Sequence, residues 1–135
     1  MTQENDIRLA YINTLLDSGF THLIDEFSFN GIINPTEGYI VGGVTEPSTM
    51  EQPDFSSIAN YKEFKQLWCR YAMKVPQYSD WDGKRAMGVG TWIHKGQIYF
   101  DLVQHIHDLD VATKIAKERG EIAIYDCKNQ KDILL

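Results

Sequence analysis

Apolar residues recur at helical spacing near the start of the chain. Ile7, Tyr11 and Leu15 stand at i, i+4 and i+8, with Ile12 and Leu16 one step further round. This predicts a helix over about residues 5–18 with one apolar stripe. Asn5 or Thr2 can cap it, Asp6 suits the positive end of its dipole, and Gly19 supplies a stop. From Phe20 to Val44 the pattern loosens. Phe27, Phe29, Ile32 and Ile33 look strand-like, and Asn34-Pro35 marks a turn because the residue before proline avoids helix. Residues 38–44 read as a short apolar strand with glycines at both ends. Residues 45–57, with Pro47 and Pro53, read as the longest loop.

A second helix is predicted from about Asn60, where Asn60 and Glu63 have capping-box spacing. Its broad apolar face comprises Tyr61, Phe64, Leu67, Trp68, Tyr71, Ala72 and Val75, and Pro76 is expected to end it. Residues 78–83 are loop-like. The clearest element spans residues 89–103, where β-branched and aromatic runs flank Lys95-Gly96 and predict a hairpin with a two-residue loop. Pairing His94 with Gln97 sets Ile93 opposite Ile98, Thr91 opposite Phe100 and Val89 opposite Leu102 on a core face. Trp92 beside Tyr99 and Gly90 beside Asp101 then occupy the other face.

A third helix is predicted from about Asp108, with Leu109, Ala112, Ile115 and Ala116 inward, Lys114, Lys117, Glu118 and Arg119 outward, and Gly120 as its stop. Residues 122–125 form a further strand, and Lys128-Asn129-Gln130 turn the chain back towards Ile133, Leu134 and Leu135. The whole describes one α+β domain over residues 1–135, a mostly antiparallel sheet with a central hairpin, packed by about three helices.

Charge and composition narrow the function classes. A chain of 135 residues buries enough surface to fold without a staple of metal or disulfide. Thirteen basic against nineteen acidic residues leave a formal charge of −6, which argues against a dedicated nucleic-acid binder. Cys69 and Cys127 lie far apart in no ligand pair and read as two reduced thiols, with one bridge between them as the alternative. The acidic start, Met-Thr-Gln-Glu-Asn-Asp, is unlike a signal peptide, and no apolar run approaches membrane-span length. These features predict a cytoplasmic protein without membrane association. The sequence leaves homo-oligomerisation open.

Three groups of residues invite a chemical reading. Asp101, His105 and His107 would share one strand face, and imidazole with carboxylate suits zinc, iron or manganese. Against this, Asp108 and Asp110 in the same cluster fit the start of the third helix, and the histidines fall in a strand-to-helix connection where exposure is common. Residues 38–43 are glycine-rich but lack the GxGxxG order and a following helix, so they suit a bulge or close backbone approach better than a phosphate cradle. Cys69 sits mid-helix beside Trp68, as inert packing does. The aromatic residues form the third group. Trp92, Tyr99 and Trp81, with Asp101 as polar neighbour, are the candidate contact surface, because Trp and Tyr bury much area at little entropic cost. A helix laid over that face would make the pair second-layer core instead.

The runs Gly38-Tyr39-Ile40-Val41-Gly42-Gly43 and Gly90-Thr91-Trp92-Ile93-His94-Lys95-Gly96-Gln97-Ile98-Tyr99-Phe100-Asp101 resemble a pattern in small phage and prophage accessory proteins. So does Asp108-Leu109-Asp110-Val111-Ala112, followed by Ala123-Ile124-Tyr125-Asp126. The resemblance runs in order through most of the chain, and the histidines at 105 and 107 stand outside it. It implies a setting in which a small protein binds and blocks a bacterial host protein, including the defence nucleases targeted by anti-CRISPR proteins. The leading expectation is therefore a non-enzymatic, cofactor-free phage or mobile-element protein that binds a host protein. The alternatives are a metal-dependent enzyme or ligand binder using Asp101, His105 and His107, and a minor virion structural or assembly component.

Overall fold

Period-two alternation on both sides of Lys95-Gly96 makes one long hairpin, and the rest of the sheet is assembled on its two edges. The structure, a computed structural model, describes residues 4–24, 32–53, 58–78 and 86–135. Strand β5 (Ala86–His94) pairs with β6 (Gln97–Ile106), with His94 opposite Gln97 and the partners of Val89, Thr91, Trp92 and Ile93 as expected. Lys95 and Gly96 take φ of 50° and 77°, the left-handed pair that a two-residue turn of matching twist requires.

On the β5 edge lies β1 (Gly19–Ile24), then β2 (Ile32–Ile33). The β6 edge is shared end to end by two strands. β3 (Tyr39–Val41) pairs with residues 104–106 and β4 (Ser48–Glu51) with residues 97–100. Beyond β3 come β7 (Ala123–Asp126) and β8 (Lys131–Leu134). All pairings are antiparallel in this eight-stranded sheet, and with three helices the fold is α+β.

Helices α1 (Glu4–Asp17), α2 (Ile58–Tyr78) and α3 (Leu109–Glu118) all cover the same sheet face. Phe64, Trp68 and Tyr71 of α2, with Ile7 and Tyr11 of α1, pack on Phe20, Met87, Val89, Ile98, Phe100 and Leu102. Ala112 and Ala116 of α3 pack on Val41, Ile106 and Ile124, which the registers place on that same face. Burial of these side chains supplies most of the driving force for folding, at ~1.5–3 kcal/mol for each large one.

Several local expectations are corrected. The main stripe of α1 packs as expected, with Ile7 and Tyr11 buried and Leu15 part-buried, but Ala10 and Thr14 flank it on the buried side while Ile12 and Leu16 are exposed. The reason is polar. Thr14 Oγ1 bonds Thr91 Oγ1 at 2.6 Å and donates to the Ala10 carbonyl, so a threonine is stitched into the interface. Helix α2 begins before Asn60, so Asn60 and Glu63 are not its capping box, and it continues through Pro76 into its last residues. Pro76 has no N–H for the Ala72 carbonyl, and the helix runs only two residues beyond it. The loop expected over residues 45–57 contains β4, and β1 occupies part of the region that showed no clear pattern. Helix α3 starts as expected, with Asp108 accepting from the Val111 N–H at 3.0 Å and Gly120 at φ 75°, although Leu109 is exposed rather than inward. Phe27, Phe29 and Trp81 lie outside the described residues. No helix among the described residues is long and apolar enough to cross a membrane.

Candidate functional site

The hairpin's alternation decides what the sheet face opposite the helices carries: away from the turn, Leu23, Ile40, Val103 and Cys127 form a buried cluster, while the end nearer the turn is more open. Odd positions of β6 and even positions of β5 point away from the helices, so Trp92 and Tyr99 stand side by side there. Their rings stack at 5.0 Å between centroids with planes 9° apart, and the His94 ring lies 6.4 Å from that of Tyr99. Trp92 is 38% exposed and Tyr99 half-buried. Gly19 is the cross-strand partner of Trp92 and Thr49 that of Tyr99, so small side chains flank the aromatic pair. No helix among the described residues covers it. The pair is an amphipathic ridge on a rigid hairpin, able to bury ring area against a partner without first losing much side-chain freedom.

Asp101 does not share that exposure. It is 2% exposed, where the sequence suggested a polar neighbour at the contact surface. The reason is the break between β3 and β4. Three residues of β6, 101–103, face six residues of the opposing chain, 42–47, so the opposing backbone leaves the ladder and arches away. The Asp101 side chain fills the opening, and its Oδ2 accepts the Gly43 N–H at 2.9 Å. A Cβ on Gly42 would collide with that oxygen and lie 3.0 Å from Glu121 Oε1. Gly43, at φ 78°, sits against the Glu121 side chain. The glycines are therefore a close backbone approach to two carboxyl groups, the opposite of what an anion site needs.

Other elements pin the same arch. Arg119, beyond α3, donates to the Gly42 carbonyl at 3.1 Å and also to Gln104 Oε1. Tyr71 of α2 donates to the Glu46 carbonyl at 2.7 Å and bonds Ser48 Oγ at 2.9 Å. Burial pushes the Asp101 carboxyl up to about 7, helped by nearby Glu121 and opposed by the Gly43 and Leu102 N–H groups and by Arg119. Its Oδ1 is buried and makes no hydrogen bond, which suits a neutral carboxylic acid better than an anion. Such a group has the pKa of a general acid or base but no access to a substrate. Its role here is to close the ladder.

The histidines are separated from it. His105 lies four residues further along β6, about 13 Å at the rise of an extended strand. It is 8% exposed, not at the surface of a connection as expected, because β6 continues through Ile106. Its Nε2 donates to the Glu37 carbonyl at 2.6 Å, and Gly38 packs on the ring with no room for a Cβ. His107 is exposed, with its ring edge-on to His105 at 4.7 Å. The structure thus brings the two histidines together and leaves Asp101 apart from them. Among the described residues, no group of three or more His, Cys, Asp or Glu side chains is placed to hold a metal ion. Cys127 is buried, and burial beside Asp126 raises its thiol to about 11, so it is not a poised nucleophile.

Little in the sequence singled out the outer side of β4, with which no strand among the described residues pairs. Its outward edge lies beside the aromatic pair, and the only hint was Thr49 and Glu51 alternating with Met50 between two prolines. Comparison with protein-family models, with curated proteins and with solved structures finds no match to this chain.

Proposed function

We propose that this protein is a non-enzymatic binding module that docks on another protein through the Trp92–Tyr99 face. The observation that supports it is the stacked, part-exposed aromatic pair on the sheet face opposite all three helices. Aromatic side chains of this kind dominate the energetics of protein interfaces. The sequence resemblance supplies the setting: a phage or mobile-element accessory protein acting in the host cytoplasm on a host protein, with inhibition of a defence system as the particular case. A formal charge of −6 suits a partner with a basic surface.

The test is native mass spectrometry of the chain recovered gently from a bacterial host lysate, beside its Trp92→Ala variant. The expected result is a co-purifying protein at fixed stoichiometry, lost in the variant while the melting temperature falls by only a few degrees. Loss of the stacked pair alone costs ~0.5–1.5 kcal/mol. A partner retained by the folded variant overturns the assignment of this face, and a bare chain in both samples overturns the binding reading.

A further inference from the structure

Among the described residues the β4 strand is paired on one side only, and the ladder identifies which backbone groups face away from that side. Gln52 N–H donates to the Gly96 carbonyl at 2.8 Å, in line with the register from Ser48–Phe100 to Glu51–Gln97. In an antiparallel pair, hydrogen-bonded and non-hydrogen-bonded positions alternate. Ser48, Met50 and Gln52 therefore turn their N–H and C=O groups to β6, while Thr49 and Glu51 turn theirs outward. The hairpin agrees: Gln97 and Tyr99, opposite Glu51 and Thr49, are the positions bonded to β5. Among the described residues no strand pairs with the outer side of β4. Thr49 and Glu51 are both exposed.

Two prolines bound the opening. Pro47 and Pro53 stand immediately outside the segment that runs along β6, and neither can donate to an added ladder. The free edge is thus limited to the two outward residues, enough to receive a short strand and too short to template an extended aggregate. By register, Thr49 continues the row Gly19, Trp92, Tyr99 across the face opposite the helices, and Glu51 continues the row His94, Gln97.

We infer that β4 accepts a short extended segment of the partner protein, hydrogen-bonded to the backbone of Thr49 and Glu51, with a basic side chain beside Glu51. This deepens the proposal above and rests on it. Main-chain bonds supply the attachment, as in strand addition generally, and side chains on alternate residues supply the selectivity. The segment's residue in the Thr49 row extends the aromatic row and suits a β-branched or aromatic side chain. The residue beside Glu51 meets an exposed carboxylate on an acidic chain, which selects Lys or Arg.

The experiment uses the full chain and random nonapeptides displayed for selection, followed by a synthetic copy of a selected peptide. Selected sequences are expected to lack central proline and to carry Lys or Arg at one position of an alternating pattern. Bound peptide should slow hydrogen exchange at the Thr49 and Glu51 amides by about tenfold or more, with Met50 and Gln52 unchanged because they are already paired. Thr49→Pro removes an outward N–H together with the Thr49 side chain, so Thr49→Val, which keeps the N–H, is its control. Relative to the valine variant, the proline variant should weaken the peptide by about tenfold or more, or ~1.4 kcal/mol. If the proline variant does not fold, exchange on the unaltered chain decides. The inference is overturned by an empty selection, by protection that maps elsewhere, by equal affinity for folded Thr49→Pro and Thr49→Val, or by Thr49 and Glu51 amides protected through self-association without peptide. In the host-partner assay, loss with Trp92→Ala but retention with Thr49→Pro defeats strand addition alone. Retention with both defeats the docking face itself.

Discussion

Replacing Asp101 by asparagine should stabilise the protein at pH 8 and not at pH 4.5. The carboxyl ordinarily titrates at 3.8 and is raised to about 7 in the fold. Between those values the folded chain holds a proton that the unfolded chain has released. The stabilising contribution of the protonated group is therefore full below about pH 4 and is lost as pH rises through about 7. A difference of about three units corresponds to about 4 kcal/mol at most, since each unit is worth ~1.36 kcal/mol and the interior relaxes around a charge. Asparagine keeps an oxygen for the Gly43 N–H and removes the ionisation. Its amide nitrogen takes the place of the unpartnered Oδ1, at a cost of ~1 kcal/mol. The assay is urea unfolding of both proteins from pH 4.5 to pH 8.5, taken as a difference so that titrating groups not coupled to Asp101 cancel. The variant should gain ~3 kcal/mol relative to the parent between pH 4.5 and pH 8. A flat difference, or an asparagine variant that loses ground as pH rises, would refute the assignment of a neutral buried acid.

The Asp101 opening should also be sensitive to bulk: Gly42→Ala drives a methyl group into the carboxyl and should lower stability by ~1–3 kcal/mol, read by thermal melting. Thr14→Val leaves the buried Thr91 hydroxyl only a 3.5 Å contact with the Phe20 carbonyl and should lose ~1–2 kcal/mol. The double variant with Thr91→Val should recover most of that, as a double-mutant cycle would show. Cys127, buried and raised to about 11, should resist a thiol reagent at pH 8 until the chain is unfolded in denaturant, so a native titration should count at most the Cys69 thiol.

What the sequence made legible was local. The hairpin register follows from Lys95-Gly96 and the alternation beside it, and the start of α3 from Asp108 with its first-turn charge. What it hid depends on distant partners. Thr14 is buried where Thr91 meets it, so a polar residue joins Ile7 and Tyr11 on the buried face while the apolar Ile12 and Leu16 stay exposed. β4 is a short edge strand with polar residues on its outward positions, so it carries the composition of a loop. Asp101 looks like a surface residue until β3 and β4 are seen to leave a gap opposite it. The aromatic face could be assigned from parity alone, but which side the helices choose is a matter of packing over the whole sheet.

The two-residue turn at Lys95-Gly96 also bears on the order in which the chain folds. It closes a loop of only two residues around the longest strand pair among the described residues, so its loss of loop entropy is small and its pairing needs no distant segment. Hairpins of this kind form in ~1–10 μs. Once formed, it presents β1, β3 and β4 with two finished edges, each a template of fixed register. Kinetic reliability and the placement of the aromatic ridge thus derive from the same two left-handed residues.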